Sequence, residues 1–331
     1  MSQIMEPIPL RTLITLLHYE LMVSDPRYEG TALFQTSFAD PAVIARIQKQ
    51  FVSDAEKHPE SIEKMVFHQF NEHKSSSKEP IPLTTCEIHP HANEMVKRLT
   101  PIEVEQIYLE SRNHDGCFKA IGLFQFFFEL CPAGQMISIQ VGNEAPLIVN
   151  PKDRACTEFA IGGPKLITLA STMIPGQVKT YHTGARENED HAVVVFNVKG
   201  PAETQVVVDM TRSQYGIAGR GTFGERYFLG NIEEWLTSMD KVCNNTTTLL
   251  TRSTNFPRTK SENENRIEAC AKKVWERWQN RVKEQWCAYC GKPGVELKKC
   301  NGCKAKKICY CCGDHQKSDW KLHKMTCERK K

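Results

Sequence analysis

The sequence predicts an α+β protein, a mixed helical and antiparallel-sheet body followed by a small carboxy-terminal module built on metal. Three observations carry this: apolar residues at helical spacing through residues 1–115, β-branched runs between turn residues over 135–230, and a crowd of cysteines and histidines from Cys287 onward. At 331 residues the chain is long enough to bury a sizeable core. Its 40% hydrophobic and 25% charged content is that of an ordinary water-soluble protein.

Taken in order, "LRTLITLLHYELMV" and "PAVIARIQKQFVSDAEKH" repeat apolar residues at helical spacing, so residues 1–115 are expected to be mainly helical. The polar run "NEHKSSSKEPIP" at 71–82 predicts a loop. In "TPIEVEQIYLES" Thr100 is an N-cap, Pro101 follows at the first turn and Glu103 stands three on, the signature of a capping box. "AIGLFQFFFEL" is too short to span a bilayer and is interrupted by Gln125 and Glu129, so it predicts buried core. "MISIQV", "HAVVVFNV" and "TQVVVDM" predict strands. The body is expected to end at 243, with a polar linker over 244–263. An amphipathic helix over 264–286 carries one apolar stripe of Ile267, Ala271, Val274, Trp278 and Val282.

No membrane span is expected, and the amino terminus lacks the basic start and continuous apolar stretch of a signal peptide. A reducing compartment, cytoplasmic or nuclear, is therefore expected, where clustered cysteines mean metal and not disulfides. Eight of the 14 cysteines lie at or after Cys287. Charge divides similarly: residues 281–331 hold 14 Lys+Arg against 5 Asp+Glu, leaving the first 280 residues acidic. Such a basic tail admits nucleic acid as a partner, but "KKCNGCKAKK" offers charge without interleaved aromatics, which favours a solvated face.

Cys287, Cys290, Cys300, Cys303, Cys311, His315, His323 and Cys327 are the candidate metal ligands. Each Cys-x2-Cys lets two thiolates of a tight turn face one ion, and Cys311/His315 and His323/Cys327 sit at i and i+4, one helix face. Eight ligands make two tetrahedral shells, and thiolate with imidazole selects zinc. With every position filled by protein the ions are structural. So short a segment lacks a hydrophobic core of its own, and metal binding must supply its folding free energy.

These residues, the "YC" at Tyr310–Cys311 and the ending "HQKSDWKLHKMTC" resemble the MYND-type zinc finger over 287–327. The resemblance implies a cross-braced arrangement. Cys287, Cys290, Cys311 and His315 would hold one zinc, and Cys300, Cys303, His323 and Cys327 the other. The gap from Cys303 to Cys311 is longer than the family's, which leaves Cys309 and Cys312 as rivals to Cys311. Four residues beyond Cys309, however, stands Gly313, which cannot ligate. The family binds short proline-containing peptides, and Gln316 and Trp320 match positions it uses for this, so a protein partner carrying such a motif is implied. A SET methyltransferase body, common beside MYND fingers, would need an Asn-His-Ser-Cys-like stretch, from which "NHDGC" at 113–117 departs.

The body offers a second constellation, Cys156, His191 and Asp209. "DHAVVVFNV" and "TQVVVDM" flank "KGPAE", which predicts a hairpin in which paired positions sum to about 400, bringing His191 opposite Asp209. A carboxylate so placed orients an imidazole for general-base work. "ACTEFAI" would present Cys156 at a helix start, where the dipole favours thiolate. The order Cys, His, Asp over about 150–216 is similar to the transglutaminase-like and papain-like cysteine enzymes, implying a hydrolase, deamidase or transglutaminase. Cys117 is the alternative nucleophile, although "HDGCFKAIG" carries the weaker helix start.

Overall fold

The computed structural model describes residues 5–38, 62–70, 87–165, 167–184, 186–198, 204–252, 261–294, 296–303 and 307–330. Within them, strand β1 (Ile8–Pro9) leads into helix α1 (Leu10–Val23), the first predicted helix. The second predicted helix, 41–58, and the loop at 71–82 lie outside the described residues. Strands β2 (Thr31–Phe38) and β3 (Ile62–Phe70) then correct the expectation of a mainly helical first third. "TALFQTSF" and "IEKMVFHQF" are rich in Thr, Phe and β-branched residues, and pairing with later strands decides their state.

Three helices follow: α2 (Glu94–Lys97), α3 (Pro101–Asn113) and α4 (Cys117–Leu130). The capping box of α3 forms, with Glu103 Oε2 accepting the Thr100 amide at 2.7 Å and Thr100 Oγ1 accepting that of Glu103 at 3.4 Å. Short strands β4 (Ile137–Ile139) and β5 (Leu147–Val149) join β1 in a three-stranded sheet. Strands β6 (Arg154–Pro164), β7 (Ile167–Ile174), β8 (Gln177–Thr183), β9 (Asn188–Val198) and β10 (Thr204–Asp209) come next. A 3-10 segment, Arg212–Gly219, leads to β11 (Phe228–Asn231), α5 (Ile232–Met239), β12 (Cys243–Arg252) and α6 (Glu262–Gln279).

The central sheet has five strands in the order β11-β10-β9-β6-β12, every neighbour antiparallel. A second sheet runs β2-β3-β7-β8, with β3 and β7 parallel. Alternation along the central strands sorts their side chains between two cores. Cys156, Val194, Phe196, Val206 and Val208 join α1, α4 and α6 on one face. Phe159, Ile161, Val193, Val195 and Val207 pack with Trp235 and Met239 of α5 on the other. A smaller cluster of Leu33, Val66, Val96, Val104 and Ile107 joins α2 and α3 to the second sheet.

The expected linker is another correction. Its first half is β12, paired with β6 from Cys243↔Pro164 to Arg252↔Cys156. "NNTTTLLTR" is polar, but its threonines are β-branched and suit a sheet edge. The predicted amphipathic helix forms as α6 but stops at Gln279. Ile267, Ala271, Val274 and Trp278 are buried among α1 and α4, whereas Val282, beyond the helix end, is 74% exposed. Arg277 on α6 donates to the Glu20 carboxylate of α1 at 2.8 Å. The helix that leads into the tail is therefore bolted to the body. Val274→Ala should cost ~2–3 kcal/mol in urea unfolding, while Val282→Ala should stay within about 0.5 kcal/mol of the parent; equal losses would contradict this docking.

Candidate functional site

Among its described residues the tail adds two short strands, β13 (Lys298–Lys299) and β14 (Cys309–Tyr310), a helix, α7 (Gly313–Thr326), and a closing 3-10 turn, Glu328–Lys330. They gather the eight predicted ligands into two clusters, Cys287/Cys290/Cys311/His315 and Cys300/Cys303/His323/Cys327, each with its donor atoms within 4.8 Å of one another. The two shells interleave along the chain, as a cross-brace requires. Cys311 Sγ lies 3.0 Å and Cys287 Sγ 3.6 Å from His315 Nδ1, and Cys290 and Cys311 are 3.8 Å apart. In the second shell, His323 Nε2 lies 3.1 Å from Cys300 and 3.4 Å from Cys303, and Cys303 and Cys327 are 3.9 Å apart. A tetrahedral zinc with Zn–S near 2.3 Å has ligand-to-ligand edges of about 3.5–3.8 Å. The spacing and the donor chemistry fit two zinc ions.

Cys309 is excluded from both shells by its strand. Its buried thiol donates to Gln285 Oε1 at 3.1 Å. Cys312 precedes α7 and likewise belongs to neither cluster. The module's own core is small, with Tyr289 and Tyr310 packed among the ligand cysteines. Tyr310 Oη donates to Asp319 at 2.6 Å, tying β14 to α7.

The body completes the first shell. His315 spends Nδ1 on the metal side and turns Nε2 toward Glu105 Oε2 at 3.2 Å. Glu105 stands on α3, is buried, and is ion-paired with the buried Arg226. A carboxylate behind a zinc-ligating histidine fixes the ring and its tautomer. Arg226 also lies over the Tyr289 ring at 4.4 Å, and Arg220 donates to Tyr289 Oη at 2.7 Å. Gly291 lets the first zinc knuckle press against α1: its φ is +78°, and a Cβ there would stand 2.5 Å from the Thr15 carbonyl oxygen. None of Glu105, Arg220 or Arg226 carries a local motif, so sequence inspection missed them.

Gln316 and Trp320 share a face of α7, with Trp320 45% exposed and its ring edge-on to His323 at 5.8 Å. A separate cleft of about 380 Å³ between body and module includes Arg11, Thr12, Gln140, Trp286 and Leu322 in its walls; Gln316 and Trp320 do not line it.

In the body, His191 and Asp209 meet as expected, with Nε2 and Oδ2 2.8 Å apart and both residues buried. The register differs by two from the predicted one: β9 and β10 pair Val194 with Val208, so His191 and Asp209 are diagonal neighbours on one face. The predicted turn at 199–203 lies outside the described residues. Cys156 is a correction. "ACTEFAI" is part of strand β6 and not a helix start, Cys156 pairs with Val194, and His191 pairs with Phe159 three positions on. An odd separation sends Cys156 to the opposite face, into the apolar core with Phe196 and Val206. Cys117, the alternative nucleophile, is buried at the start of α4 and belongs to the same apolar cluster as Cys156. Trp235 Nε1 donates to Asp209 Oδ2 at 3.1 Å, and Gln214 Nε2 lies 3.5 Å from His191 Nδ1.

If Glu105 orients His315, Glu105→Gln should weaken one zinc ion tenfold to a hundredfold and leave the other unchanged, seen as two-stage release to a competing chelator. Unchanged release of both ions would contradict that role.

Residues 287–327 match the family model of the MYND finger. The chain is 42% identical over 45 residues to SET domain-containing protein 14 of Caenorhabditis elegans, covering 14% of this chain and 10% of that protein. It is 43% identical over 44 residues to Egl nine homolog 1 of Homo sapiens, covering 13% of this chain and 10% of that protein. The match thus spans about a tenth of the length of these curated relatives. No solved structure matches the chain. The segment 287–327 is a MYND finger, a zinc-binding, protein-interaction module.

Proposed function

We propose that this protein is a zinc-dependent adaptor whose MYND finger binds a partner through a short proline-containing segment. The observation that carries the reading is Trp320: a large aromatic left 45% exposed on a helix whose two ends are pinned by zinc ligands. Exposing an indole has a solvation cost, and in so small a module that ring would otherwise serve the core. His315 and His323 hold α7 from either side of it, so the ring is presented by a rigid support, which lowers the entropy lost on binding. Proline rings suit flat aromatic surfaces because their conformation is already restricted. Gln316, one turn before Trp320, supplies an amide that can read a peptide backbone.

The cytoplasm or nucleus suits this reading, since free thiolates must remain available to zinc. No helix among the described residues is long and apolar enough to cross a membrane.

A display library of short proline-containing peptides should enrich a motif on the zinc-loaded protein. Trp320→Ala should weaken the winning peptide about thirtyfold or more, the ~2 kcal/mol of an aromatic anchor, while both zinc ions stay bound. Chelation should abolish binding. Full affinity in the Trp320 variant, or in metal-free protein, would overturn the proposal.

A further inference from the structure

The cleft of about 380 Å³ between body and finger joins charged residues of the body to apolar residues of the finger. We propose that this cleft is a zinc-dependent site for a small amphipathic carboxylic acid, with its carboxylate at the start of α1 and its apolar part against the finger.

α1 begins with positive charge that its own sequence leaves uncompensated. Among the described residues no side chain caps its first amides, and its first turn holds no acidic residue. The positive end of a 14-residue helix favours an anion there. The second helical position is instead Arg11, a like charge. Glu225 offsets it by accepting from Arg11 Nη1 at 2.7 Å, but the buried Nη2 has no acceptor among the described residues. Pro9, Arg11 and Thr12, the first turn and the residue before it, all line the cleft. A helix start, a half-satisfied guanidinium and a cavity therefore coincide. A carboxylate answers all three, because its two oxygens accept from a guanidinium and from amide N–H groups alike.

The other charges limit the ligand to one negative charge. Arg281 and Lys307 line the cleft as cations, Glu284 and Asp319 as acids. Arg281 already meets Glu6 at 3.1 Å, and Asp319 accepts from the Tyr310 hydroxyl at 2.6 Å. With Glu225 against Arg11, the cations are matched by acids, so a phosphate dianion finds no excess charge to hold it. A single carboxylate needs only the α1 start and Arg11 Nη2.

The finger supplies the apolar end. Ile308, Leu322 and Met325 line the cleft together with Trp286 of the connecting segment. Methionine adapts its shape to an irregular guest, and an indole offers a flat wall. The volume lies at the small end of the range for small-molecule sites, which suits one acid group on a short chain or ring. Trp320 and Gln316 stand outside the cleft, so the site is separate from the peptide face.

Zinc enters because both walls are needed. Cys309 and His323 also line the cleft, and His323 belongs to the second metal shell. The finger wall is in place only while zinc holds it. A ligand that touches both walls must in return favour zinc retention.

The test uses the full-length zinc-loaded protein with decanoate, kept below its micelle concentration, and 1-decanol as the uncharged twin. Calorimetry should show one decanoate per chain, bound at least tenfold more tightly than 1-decanol. Decanoate should also slow zinc release to a chelator at least twofold. Thr12→Glu puts an acid in the first turn of α1, where the helix dipole favours it. Its urea midpoint should equal or exceed the parent's, while decanoate binding weakens at least tenfold. Met325→Trp fills the apolar end and should weaken both probes at least fivefold with zinc content unchanged. Equal affinity for decanoate and 1-decanol, parental decanoate affinity in Thr12→Glu, or undiminished binding by metal-free protein overturns the proposal. Tighter binding of a tetrapeptide of three alanines and a carboxy-terminal leucine than of decanoate overturns it too, by assigning the cleft to a protein terminus.

Discussion

One buried carboxylate joins the two halves of this molecule. Glu105 stands on a helix of the body, yet its oxygens are shared between Arg226 and the outward nitrogen of a zinc-ligating histidine. A buried carboxylate requires such partners, because burying the charge unpaired costs several kcal/mol. The finger therefore does more than fold on its own ions. It closes a charged site in the body, and the body in turn orients a metal ligand. Gly291 against α1, Arg220 against Tyr289 and α6 buried between α1 and α4 extend the same joint by packing.

The helix that carries Glu105 also links the finger to the buried His191–Asp209 pair. Asn113, at its carboxy-terminal end, donates to Ser213 Oγ at 2.6 Å and faces His18 Nε2 at 3.1 Å. Ser213 adjoins Gln214, which approaches His191. From Glu105 to Asn113 is eight residues, about 12 Å of helix. One rigid rod thus sets the zinc shell at one end and the segment beside the imidazole at the other.

How much of this was legible in the sequence follows from how local each feature is. The zinc ligands were legible because thiolate pairs and i, i+4 pairs are short-range patterns with a specific chemistry. Their interleaving came only from the family resemblance. The capping box at Thr100 and the apolar stripe of α6 were legible for the same reason, being written within a turn or two. The His191–Asp209 pair survived a register error of two because strand alternation preserves its face. Cys156 did not survive, since a single odd separation along β6 puts it on the far side of the sheet. The start of α4 was hard to see because Gly116 gives no capping signal; its meaning is steric and depends on Thr211, far along the chain. The threonine-rich β12 reads as a linker because its polarity hides a preference that only the pairing with β6 makes visible.

The central claim is that body and finger are a single unit held through Glu105 and the first zinc ion. Hydrogen exchange across residues 101–113 and 287–327, followed with and without zinc, tests it most directly. The account predicts that stripping zinc lowers protection in both segments together, because loss of His315 leaves Glu105 and Arg226 short of a partner. Full protection of 101–113 while 287–327 exchanges freely would contradict it.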